Sequence, residues 1–158
     1  MKHFKQALAT MEKIFNAGRV SRWHTHPDLA ETGDRLDGHQ GRVARIILRL
    51  HPSPDMHILA QALTHDDGEH VAGDMSGPAK NQYPNLRLLT EDIEGCARVD
   101  LWGFCAMPYK ENHRWVNFAD KLDAYMWMMH KKPRLRKKAE WQEAKAWLNA
   151  EYKALIKG

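Results

Sequence analysis

HILAQALTHDDGEHVAGDMSGPAK, residues 57–80, is the stretch on which the reading of this chain turns. Its first seven residues are mostly apolar and rich in Ala and Leu, which suits a buried helix better than a strand. That helix delivers His65 and Asp66 side by side at its end, and Glu69 follows one turn later. Residues three and four apart share a helix face, so a continuing helical path sets Glu69 over His65 and Asp66. A divalent metal uses such a set: imidazole and carboxylate as ligands, and a nearby carboxylate to handle the proton of an attacking water. The remaining ligands must come from other segments.

Working outward, helical periodicity dominates. Phe4, Leu8, Met11 and Phe15 space out a first helix that Gly18 ends. Residues 19–37 are rich in breakers and read as a loop. His39, Val43, Ile46, Ile47 and Leu50 mark a second helix closed by Pro52, and Met56 to Asp66 is the third. Residues 67–85 read as a long Gly- and Pro-bearing loop whose first turn continues the helix. Thr90 is the expected cap of TEDIEGCARVDLW, with acids in the first turn where the dipole favours them. Trp115, Phe118, Leu122, Tyr125 and Met129 mark a long helix over 112–130. Trp141, Ala144, Leu148, Tyr152 and Leu155 mark a last one from about Lys138 to Ile156. No stretch alternates with the period of a strand. The expected fold is an all-α orthogonal bundle of about six helices in one domain, residues 1–158.

The composition narrows the function classes. At 158 residues, 43% hydrophobic and 28% charged, the chain is globular and soluble in type. No apolar run approaches the ~20 residues of a membrane span. The amino-terminal MKHFKQALATMEKIF is interrupted by charges, so no signal peptide is read and a cytoplasmic protein is expected. Cys96 and Cys105 lack metal-ligand spacing and read as thiols of a reducing compartment. A net charge of +4 is compatible with nucleic acid, nucleotides or acidic surfaces.

The candidate metal ligands are His39 on the second helix, His65 and Asp66 ending the third, and Asp120 in FADKLDAYMW on the fifth. Asp120 stands among Phe118, Leu122 and Tyr125, where an unpaired charge is costly, and this favours a ligand role. The order His, His-Asp, Asp on successive helices resembles the HD-domain phosphohydrolase superfamily. Three surrounding segments carry the resemblance further: GRVSRWHTHP before the first His, HDDGEHVAGDMSGPAK around the dipeptide, and ADKLDAY around the last Asp. They are similar to a branch of small nucleotidases that remove phosphate from the 5′ position of deoxynucleotides, over about residues 15–130.

The resemblance implies one divalent metal, Co²⁺, Mn²⁺, Zn²⁺ or Fe²⁺, held by those four side chains, with a second metal available on the substrate phosphates. It implies that Glu69 activates or positions the attacking water. Arg22 and Trp23 match an Arg-Trp pair lining the sugar pocket, where Trp23 would press against the place a ribose 2′-hydroxyl occupies. Lys80 would hold a phosphate, Pro78 and the backbone around Thr25 would flank the base, and Asp74 would contact the sugar or the second metal. Lys110, Arg114 and Lys121 are available as further phosphate cations. Within the branch, the short span between Asp66 and Asp120 looks more like the phage-type dATP triphosphohydrolases than the bacterial 5′-deoxynucleotidases. The former release triphosphate from dATP in one step in a host cytoplasm. A homo-oligomer, hexamer or dimer, is expected from the same resemblance.

Each feature also has a plainer explanation. His39 alone would be an ordinary core or surface histidine, and Asp123 reads as an exposed neighbour of Asp120. Asp67 and His70 read as exposed helix-end residues, and His24-x-His26 as a loop pair with slight capacity to chelate. Trp102, Trp115, Trp127, Trp141 and Trp147 are assigned to the core or to oligomer contacts. HKKPRLRKK, residues 130–138, carries six cations around a helix breaker. It reads first as a solvated linker. The rival is a nucleic-acid grip, which would make the chain a basic helical binding module with a structural His-Asp cluster.

Overall fold

The structure, a computed structural model, describes residues 2–103 and 110–157. Eight α-helices are seen among them: α1 Lys2–Gly18, α2 Leu36–Leu50, α3 Met56–Thr64, α4 Glu69–Ala72, α5 Gly77–Gln82, α6 Pro84–Trp102, α7 Lys110–Lys131 and α8 Ala139–Leu155. Short 3-10 turns lie at Ala30–Thr32 and Pro133–Lys137. The described residues contain no strand, only an isolated bridge between Ser21 and Arg35. The fold is thus all-α, and six helices of nine residues or more form its body.

The main core joins α2, α3, α7 and α8 through Val43, Ile47, Ile58, Trp115, Phe118 and Leu148. Removing a buried aromatic such as Trp115 costs about 3–5 kcal/mol. A smaller core gathers Leu29, Met128, Leu135 and Trp141, with Trp23 packed against it. Helix α7 serves both, since its apolar residues recur every three to four positions over its length. Asp120 sits on α7 between the two cores, so the helix that holds them together also carries a candidate ligand.

Helix α6 begins at Pro84, six positions ahead of the expected cap at Thr90. Proline suits the first helical turn because it has no amide hydrogen to leave unpaired. Thr90 is buried in mid-helix, and its hydroxyl bonds back to the carbonyls of Leu86 and Arg87, both at 2.9 Å. Residues 67–85 are not one loop but hold α4 and α5, the latter capped by Ser76, whose hydroxyl accepts from Ala79 N. Helix α3 stops at Thr64, so His65 and Asp66 lie in the turn that follows it. Asp55 caps α3, accepting from Ile58 N at 2.8 Å.

The stripe that marks α1 in the sequence faces outward. Phe4, Leu8, Met11 and Phe15 are 47% to 75% exposed, and only Ala17 and Gly18 of residues 3–18 are buried. A Cβ on Gly18 would meet Asp37 Cβ at 2.9 Å, so glycine lets the end of α1 approach the start of α2.

Candidate metal centre and cavity

Three segments converge between the two cores. Helix α2 brings His39, the turn after α3 brings His65 and Asp66, and α7 brings Asp120. One ligand atom from each lies within 4.8 Å of every other. His39 Nε2 is 3.2 Å from Asp120 Oδ1 and 3.4 Å from Asp66 Oδ2, and His65 Nε2 is 3.2 Å from Asp66 Oδ2. Two atoms bound at about 2.1 Å to a common ion at near-tetrahedral or octahedral angles are themselves about 3.0–3.4 Å apart.

The imidazoles are oriented for this. His39 Nδ1–H donates to Asp123 at 2.7 Å, and His65 Nδ1–H donates to the carbonyl of Ala62 at 2.9 Å. Both Nε2 atoms are buried and face the carboxylates of Asp66 and Asp120 at 3.2–3.4 Å. A fixed Nδ1–H leaves the Nε2 lone pair for a metal. Two imidazoles and two carboxylates fit a first-row divalent ion.

The electrostatics also call for a cation. Burial opposes charge on His39, but the hydrogen bonds it donates to the carboxylates of Asp120, Asp123 and Asp66 outweigh it and lift its pKa to about 10. Burial likewise resists ionisation of Asp66, yet His65 and His39 hold it well below the usual carboxylate range. Burial pushes Glu69 up to about 9, with help from the charges of Asp66, Asp74 and Glu94 and against that of Lys80. Glu69 opens α4, and its buried Oε2 has no partner.

Beside the cluster opens a cavity of about 520 Å³, a size that admits a small ligand. Arg22, Trp23, Thr25, Asp74 and Asp120 are among the residues that line it, as are Lys121 and Lys138. Trp23 has φ +65°, the only positive φ outside glycine among the described residues. A bulky side chain there is strained by about 1–3 kcal/mol and persists only where its surroundings hold it. They do: Trp23 N donates to Asp74 and its indole N–H to Asp34, each at 3.1 Å.

Several expected residues lie elsewhere than the sequence suggested. Asp123 is not exposed but 2% exposed and bonded to His39, because its position one turn beyond Asp120 on α7 faces the same interior. Asp67 is 3% exposed and accepts from Gln40 at 2.8 Å and from the Trp102 indole at 2.9 Å, which pins the turn bearing His65 and Asp66. His70 is partly buried, and its Nδ1–H donates to the Asp67 carbonyl. Lys80 does not line the cavity; it pairs with Glu94 at 3.1 Å. Arg114 turns toward α8 and pairs with Glu151 at 2.8 Å. The side chains of Pro78 and Lys110, and Cys105, lie outside the described residues.

His24 sits 3.8 Å from Asp74, and His26 Nδ1 accepts from Asp28 N, so the pair joins no metal cluster among the described residues. Trp115 and Trp141 are core residues, as expected. Trp127 donates to Thr32 and is faced by Arg42 at 4.4 Å and Lys131 at 4.8 Å. In the basic run, Leu135 is buried in the smaller core and Lys138 pairs with Asp28.

Three residues of the site escaped the sequence reading. Arg42 lies one turn beyond His39, a spacing that could have singled it out. Glu94 lies against Gly68, where a Cβ would overlap the Glu94 backbone, so only glycine fits beneath α6. Asp34 comes from the irregular loop and had no periodic signal. No family model, curated protein or solved structure matches the chain.

Proposed function

We propose that this chain is a metal-dependent phosphohydrolase of free 2′-deoxynucleotides, with dATP as preferred substrate and deoxyadenosine and triphosphate as products. The observation that carries the proposal is the convergence of two buried imidazole Nε2 atoms, each ring fixed at its Nδ1, on the carboxylates of Asp66 and Asp120 at the edge of the cavity. His39, His65, Asp66 and Asp120 would hold the ion, Co²⁺, Mn²⁺, Zn²⁺ or Fe²⁺. When bound, the ion supplies an acidified water and neutralises charge on the phosphoryl oxygens.

The chain's own residues supply the rest. Glu69 holds or moves a proton at its unpartnered Oε2. Raised to about 9 first by burial and then by the charge of Asp66, it carries that proton at neutral pH. Arg22 stays charged because Asp120, Asp66, Asp34 and Asp123 outweigh its burial, and it lines the cavity beside Asp120. Trp23, fixed by Asp34 and Asp74, forms the wall against which a deoxyribose fits and a 2′-hydroxyl clashes. Water adds to the phosphorus bonded to O5′, the P–O5′ bond breaks, and O5′ leaves as the hydroxyl of the nucleoside.

A second reading is a deoxynucleoside 5′-monophosphatase. The pairing of Lys80 with Glu94 and of Arg114 with Glu151 favours it, since it takes cations away from a triphosphate. No helix of the described residues is long and apolar enough to cross a membrane. The proposal includes a cytoplasmic setting and self-association as a hexamer or dimer, which light scattering tests.

The deciding experiment is chromatographic product analysis with Co²⁺ or Mn²⁺ and, separately, each dNTP, each dNMP and ATP. Deoxyadenosine and intact triphosphate from dATP alone support the first reading. Nucleoside and phosphate from several dNMPs, with dNTPs untouched, support the second. No turnover, with salt-dependent DNA binding and no metal in the protein, overturns both in favour of a nucleic-acid-binding module.

A further inference from the structure

The candidate ligands and the Arg22–Trp23 wall come from separate segments, yet the same buried ion lattice holds both. Arg42 lies at its centre. Its Nε donates to Asp123 Oδ1 at 2.6 Å and its Nη2 to Asp123 Oδ2 at 3.0 Å, a two-pronged grip on one carboxylate. The same Nη2 donates to Asp34 Oδ1 at 2.7 Å. Beyond Asp123 is His39 Nδ1 at 2.7 Å. Beyond Asp34, on its other oxygen, are Arg22 Nη1 and the Trp23 indole, each at 3.1 Å. Asp34 and Asp123 are both 2% exposed, so each needs its donors. Trp127 covers one face of the guanidinium.

We infer that Arg42 is a positioning residue that couples the ligand His39 to the sugar wall Arg22–Trp23, through Asp123 on one side and Asp34 on the other. The inference rests on the deoxynucleotide phosphohydrolase reading. Arg42 lines neither the cavity nor the ligand cluster, so it acts only through its two carboxylates. Its geometry explains why an arginine is required: the grip on Asp123 and the reach to Asp34 need a planar fork, which a lysine ammonium lacks. One consequence sets this apart from a simple packing role. Disturbing either end of the lattice should be felt at the other, so metal affinity and the preference for deoxyribose should change together.

The test compares the wild-type protein with Arg42→Lys, Arg42→Met and Asp34→Asn. Co²⁺ affinity is measured by competition with a chromogenic chelator, and the visible absorption of the Co²⁺-loaded protein reports the ligand geometry. The ratio of kcat/KM for a deoxynucleotide over its ribonucleotide is measured in parallel, with thermal melts to select folded variants. The folded Arg42 variants should bind Co²⁺ about 10–100-fold more weakly, with an altered absorption band and a lower deoxy-to-ribo ratio. Asp34→Asn, which touches no ligand, should lower the ratio and also shift the Co²⁺ band. If both Arg42 variants fail to fold, Arg42→Gln, which keeps one planar donor group, is measured in their place. A folded variant in which only one of the two properties moves, or neither, overturns the inference. A wild-type protein that binds no Co²⁺ overturns the underlying metal reading instead.

Discussion

The two ends of the site are built by opposite means. At the candidate metal centre, three of the four candidate ligands sit on helices or at a helix terminus, at positions that packing of α2, α3 and α7 sets directly. At the cavity wall, Arg22 and Trp23 sit in an irregular segment, and Trp23 adopts a left-handed backbone that its own side chain disfavours. The wall is held by charge from afar: Asp34 and Asp74 accept from it, and Arg22 reaches Asp120 at 3.4 Å. The helices set where the candidate ligands stand, and a few buried bonds, such as Asp123 to His39, then orient the side chains. A loop attains the same precision only when buried counter-charges specify each side chain.

That contrast can be broken first at its helical end. Asp66→Ala should abolish bound metal and turnover together, as read by elemental analysis and product formation; full activity would remove Asp66 from the site. Next, Glu69→Ala should keep metal and fold while turnover falls by about 10²–10⁴. Unchanged turnover would take Glu69 out of the mechanism. At the loop end the expected effect is smaller. Trp23→Ala should admit ribonucleotides, changing the deoxy-to-ribo ratio of kcat/KM by about 10–100-fold, the worth of a packing contact in a binding pocket. A ratio that does not move would show that Trp23 only packs against Trp141 and its neighbours.

The smallest effect concerns pH. The pKa of His39 rises from 6.5 to about 10 on folding, so its contribution to stability is full below pH 6.5 and fades as pH climbs toward 10. Glu69, raised from 4.5 to about 9, contributes in the same direction. The metal-free protein should therefore lose melting temperature between pH 6.5 and 9. Saturating Mn²⁺ should flatten that loss, because the ion replaces the proton among the carboxylates. A metal-free protein that grows more stable over this interval would contradict the arrangement of the cluster.

Much of this was legible along the chain. Residues that share a helix face announce themselves by spacing, so the core of α7 and α8 could be read directly, whereas the candidate ligand set came from residue chemistry and the family resemblance. Asp123 lay within that reach too, three positions from Asp120, but solvent exposure cannot be told from spacing when both faces of a helix are partly buried. The start of α6 was misplaced because Thr90, Glu91 and Asp92 resemble a cap, while Pro84 offered an equally good start and the packing of α6 on α4 and α5 selected it. The α1 stripe likewise showed that a helix forms without showing what covers it.

The sequence by itself determined the helical class and the order of the longer helices, because those follow from local periodicity; residue chemistry and the family resemblance named the candidates that meet at the centre. Only the tertiary structure decided the lattice that orients them. Asp34, Arg42 and Asp123 are distant or aperiodic in the chain, and their roles exist only once burial removes water and makes every unpaired charge costly. The demand for a partner then fixes which carboxylate meets which cation.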